Sequence, residues 1–105
     1  MSNKLGDDTI IGIGFYQREQ WPLLLETAAD RQAIEDTYEE WQFSVKKSLK
    51  NFRATGIEPL RVDVDINELM AWCNAKGLKN IGTVRAEFIA ELCRLGRGKK
   101  IIFDY

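Results

Sequence analysis

The chain has 105 residues, 45% apolar and 30% charged, with a formal net charge of −1. That is the length of one domain, able to bury roughly two-thirds of its unfolded surface, and the composition suits a folded core and argues against disorder. Histidine is absent, which excludes His-activated nucleophiles, imidazole bases and His-containing zinc sites.

No run approaches the ~18–20 apolar residues of a membrane span, and the opening MSNKLGDD lacks a charged-then-apolar leader pattern. A cytoplasmic location is expected. Residues 1–8 are polar and read as a flexible lead-in. Residues 9–16, TIIGIGFY, read as a strand in which Ile11, Ile13 and Phe15 share one face and Ile10 and Tyr16 the other. Apolar groups on both faces predict a covered or central strand. Gly12 and Gly14 form a GxG, but Gln17 stands where a dinucleotide fingerprint needs its third glycine. Glycines inside a strand predict close approach of a packed helix, or a bulge.

Residues 18–29 read as a helix with Trp21, Leu24, Leu25 and Ala28 on one stripe, Pro22 falling within its first turn. Residues 30–36 carry no clear pattern. The longest predicted helix is 37–55, its stripe made of Tyr38, Trp41, Val45, Leu49 and Phe52. Asp36 with Glu39 predicts a capping box, and Gly56 the stop. Glutamates at its start and Lys46, Lys47, Lys50 and Arg53 at its end complement the helix macrodipole.

The clearest unit is 60–77. Leu60, Val62 and Val64 alternate with Arg61 and Asp63, the period of a strand. Asp65 then predicts an N-cap, with Glu68 reaching back in a capping box. Ile66, Leu69, Met70 and Cys73 make a helical stripe that Gly77 ends. A last helix is predicted at 82–95 through Val84, Phe88, Leu92 and Leu95, with Ile89 and Cys93 beside them, capped by Thr83 or Asn80 and stopped by Gly96. Residues 97–105 join basic groups to Ile101, Ile102 and Phe103, and read as a third strand or a tail that pairs with another copy. The order β-α-α-β-α-α, with a possible closing strand, predicts an α/β fold (α+β being the variant), a small two-layer sandwich within one domain at 9–96. Adjacent first and second strands would be parallel, because a helical crossover joins them.

The segments GFYQREQWPLLLETAADRQAIEDTYEEW, VDVDINELMAWC and RAEFIAEL together resemble small bacterial proteins without an assigned activity, over residues 11–95. The resemblance implies a stand-alone bacterial domain and carries over no catalytic residue.

The candidate ligand site lies where the central strand ends, a place where open α/β sheets bind ligands. It comprises Arg61, Asp63, Asp65, Glu68 and Trp72. Its carboxylates suit a cation or polar ligand. The competing structural reading assigns Asp65 and Glu68 to helix capping and Asp63 to the solvated strand face. Cys73 and Cys93 lie on apolar stripes and read as reduced core thiols. No catalytic residue, metal or cofactor is assigned.

Charge is unevenly placed. Residues 1–45 carry three basic and nine acidic groups, a net of −6, whereas residues 46–105 carry twelve and seven, a net of +5. Such polarity can guide self-association or cancel within one monomer. The leading expectation is therefore a non-enzymatic interaction module that forms a homodimer. The alternative is a small-molecule or cation-binding domain at the strand end, and nucleic-acid binding through the basic half ranks third.

Overall fold

A computed structural model describes residues 11–102. The expected lead-in, Thr9, Ile10 and residues 103–105 lie outside the described residues. The elements are β1 (Gly12–Tyr16), a 3-10 turn at Arg18–Gln20, α1 (Trp21–Thr27), a second such turn at Arg31–Ala33, α2 (Tyr38–Ala54), β2 (Leu60–Val64), α3 (Ile66–Lys76), α4 (Gly82–Arg94) and β3 (Lys99–Lys100). This is the α/β order expected from the sequence.

The sheet runs β1-β2-β3, with β1 parallel to β2 and β3 antiparallel to it. Tail residues thus close the sheet of their own chain, Lys100 opposite Leu60 and Lys99 opposite Arg61. α4 lies across β1 and β2, and the strand glycines explain how closely. A Cβ on Gly14 would stand 2.6 Å from Cδ1 of Ile89, and one on Gly12 would stand 2.7 Å from Sγ of Cys93. A larger residue there would force the Ile89 and Cys93 side chains of α4 to shift.

One core holds the elements together: Val62 and Val64 from β2, Trp21 and Leu24 from α1, Trp41, Val45 and Leu49 from α2. Ile66, Leu69 and Cys73 of α3 join it, with Val84, Phe88 and Leu92 of α4 and Ile101 of the tail. Leu95 departs from expectation. It is 64% exposed, because the helix has already ended at Arg94 and Gly96 turns the chain away at φ +82°.

Three caps also differ from the sequence reading. The capping box of α2 lies one residue later than expected, pairing Thr37 with Glu40, while Asp36 bonds Arg31 instead. Asp65 caps α3 through the amides of Asn67 and Glu68, but the Glu68 carboxylate turns to Arg97 and leaves the box half made. α4 has neither Thr83 nor Asn80 as its cap: the Asp30 carboxylate accepts the Gly82 amide at 2.9 Å from far along the chain.

Candidate functional site

At the end of β2 the five candidate residues divide into separate groups. Arg61 Nε donates to Asp63 Oδ1 at 2.8 Å, and Lys99 Nζ reaches Asp63 Oδ2 at 2.9 Å. The Arg61 guanidinium also lies over the Phe15 ring, 4.6 Å from its centre. Burial raises the Asp63 pKa, but the hydrogen bonds from Arg61 and Lys99 outweigh it and leave the carboxyl below its ordinary value. Asp65 is held by the Gln20 amide as well as by the first turn of α3, and those bonds lower its pKa too. Gln20 completes the cap by accepting the Ile66 amide through Oε1 at 2.8 Å. Glu68 grips Arg97 with two bonds of 3.0 Å, which lower its pKa.

Trp72 follows Glu68 by one turn of α3, but its ring packs on Phe88 of α4, centres 5.2 Å apart, beneath Lys76. Among the described residues no three carboxylates or thiols gather closely enough to hold a metal ion. The strand-end carboxylates serve as ties: Asp63 and Glu68 clamp the tail, and Asp65 joins the turn before α1 to α3.

A second polar cluster has no counterpart in the sequence reading. Arg85 forks onto both oxygens of Asp30 at 2.9 and 2.8 Å and donates to Asn80 Oδ1 at 2.8 Å. Asn80, 2% exposed, donates in turn to Thr27 Oγ1 at 3.3 Å. The Arg85 hydrogen bonds hold the Asp30 pKa below its ordinary value. This network joins the segment after α1 to the start of α4, and so positions structure.

Aromatic side chains pack around the end of β1. Trp21, Tyr38 and Trp41 contact one another and Tyr16, with ring centres 5.1 to 6.2 Å apart. Tyr38 donates to the Tyr16 carbonyl at 2.7 Å. The cleft left between Phe15, Tyr16, Tyr38, Trp41, Gln42, Val45 and Arg61 holds about 210 Å³, below the ~300 Å³ at which small-molecule pockets usually begin. The tryptophans Trp21 and Trp41 are core residues. Burial raises the pKa of both Cys73 and Cys93, which keeps these thiols protonated and poorly nucleophilic.

The outer face of α2 differs from these satisfied clusters. At ~100° per residue Phe43 sits about 160° around the helix from both Trp41 and Val45, and it is 70% exposed. On its N-terminal side lies a hollow of about 630 Å³ lined by Glu35, Asp36, Glu39 and Glu40 among others. On its C-terminal side is one of about 300 Å³, lined by Phe43 with Lys46, Lys47 and Lys50. An apolar side chain thus stands between an acidic and a basic hollow on one rigid helix.

No known protein family, curated protein or solved structure matches the chain. The likeness to small bacterial proteins therefore rests on the quoted segments alone. Sequence reasoning passed over Phe43, although the signal was present: an apolar residue at the middle of the face opposite the buried stripe. Gln20, Arg97, Lys99 and the Asp30–Arg85 pair had no such signal, since each meets its partner only through the tertiary fold. Among the described residues no helix is long and apolar enough to cross a membrane.

Proposed function

We propose that the chain is a non-enzymatic protein-interaction module that forms a homodimer through the outer face of α2. One observation carries this reading: Phe43, 70% exposed in the middle of a 17-residue helix, lies between charged hollows of opposite sign. Burying an aromatic ring supplies affinity, and flanking charges supply orientation and partner choice. The other candidate surfaces offer less. Asp63, Asp65 and Glu68 each hold partners from their own chain, so a cation or polar ligand would first have to break those bonds. Several basic groups of the second half are paired, Arg53 with Glu58, Arg94 with Glu91, Arg97 with Glu68 and Lys99 with Asp63, which weakens the case for nucleic acid.

The reading places the protein in the cytoplasm and assigns it no chemistry of its own. Sedimentation equilibrium of the full chain, from micromolar to millimolar concentration, tests it. A reversible monomer–dimer equilibrium is expected, and the Phe43→Asp chain should stay monomeric. A wild-type chain that is monomeric throughout would remove the homodimer.

A further inference from the structure

Resting on that reading of the α2 face, we propose how the two copies meet: α2 pairs with α2 in antiparallel fashion, the two-fold axis passing through Phe43. The sequence around Phe43 is charge-inverted about that residue. Glu40 and Lys46 stand three positions either side of it, Glu39 and Lys47 four, and Asp36 and Lys50 seven. On α2, Glu39, Glu40, Lys46, Lys47 and Lys50 fall within about 60° of the direction of Phe43, forming one stripe opposite the buried face.

A two-fold interface brings residue i of one copy against residue j of the other, and j against i. Here it sets Glu40 against Lys47 of the second copy and Glu39 against its Lys46, each pair made twice. The two Phe43 rings meet at the centre, where they are screened from water by the charged pairs around them. The helix dipoles also run in opposite directions, as antiparallel packing favours.

The pairs cannot form within one copy. Glu40 and Lys47 lie seven residues apart, a rise of about 10 Å along the helix. A parallel pairing would set like charges against each other, which is destabilising. Two of the carboxylates already touch arginines of their own chain, Glu39 with Arg18 and Asp36 with Arg31, both in exposed pairs. With Glu35 and Glu40 included, the acidic end still carries a net charge of −2. The acidic hollow, about 630 Å³, gives the incoming lysines room beside Arg31. One helix packed on one helix belongs to the small-interface class, below about 1,200 Å² in total. The dimer is accordingly a reversible one that salt weakens.

The test couples a mixture of nitrogen-15-labelled and unlabelled full-length chain with a zero-length carbodiimide, which joins a carboxylate to an amine only on contact. Mixed-isotope peptides linking Glu39 or Glu40 to Lys46 or Lys47 are expected. A dimer whose mixed-isotope links fall elsewhere overturns this arrangement but keeps the interaction reading, whereas a chain that stays monomeric at millimolar concentration overturns both. A second measurement exchanges the charges. Lys46→Glu, and separately Glu39→Lys, should each weaken self-association by about tenfold. An equimolar mixture of the two variants should recover a heterodimer at least as tight as the wild-type dimer. If both variants are folded by circular dichroism and the mixture does not associate, the charge-inverted arrangement is wrong.

Discussion

Removing the Arg85 guanidinium strands Asp30 and Asn80, both largely shielded from water, without the donor that ties them together. The Arg85 and Asp30 side chains are only 12% and 18% exposed, and breaking one partner out of such a pair costs about 3 kcal/mol. Arg85→Met should therefore lower stability by that order in urea unfolding followed by tryptophan fluorescence. A loss too small to measure would show that water replaces the guanidinium without penalty. The same pair gives a pH dependence. Asp30 has a folded pKa below its unfolded one because of Arg85, so its contribution is complete above the unfolded value, near 4. It disappears as pH falls through the folded value. Asp30→Asn should flatten the fall in stability below about pH 4, and an unchanged acid limb would contradict this assignment. None of this was legible in the sequence. Asp30 lies in a stretch without periodicity, and its partner is 55 positions away.

At the scale of elements the sequence reading fared better, because strands, helix stripes and glycine stops are local signals. β2, Asp65, α3 and Gly77 follow one another as expected, with Gly77 at φ +68°. Where the reading missed, a tertiary partner displaced a local one. Glu68 is drawn from the Asp65 amide to Arg97, and α4 takes its cap from Asp30. The tail was open to two interpretations because β3 is only two residues long and its anchors, Glu68 and Asp63, lie in other elements. Its single buried side chain among the described residues is Ile101, 3% exposed. Exposed ion pairs contribute little, whereas emptying a buried isoleucine site costs about 2–5 kcal/mol. Ile101→Ala should thus destabilise the fold by that amount in thermal or urea unfolding, while Glu68→Gln stays close to wild type. The reverse ranking would mean that the ion pairs hold the strand.

Over the whole molecule the uneven charge of the sequence finds a structural location. Several basic groups of the second half pair with neighbouring carboxylates, and Asp30–Arg85 joins the two halves. At the surface α2 is acidic at one end and basic at the other, around an exposed Phe43. The sequence could suggest self-association from the charge totals, but it could not place that polarity on an exposed face, since that depends on folding. The candidate site moves accordingly, from the carboxylates at the end of β2 to the outer face of α2.

The most direct measurement is a dilution series of amide spectra from nitrogen-15-labelled chain, taken at low and at high salt. Shifts that depend on concentration are expected to concentrate between Asp36 and Lys50, centred on Phe43, and to need higher protein concentration when salt is raised. Spectra that do not change on dilution, or changes confined to the strand edges at β1 and β3, would contradict the account.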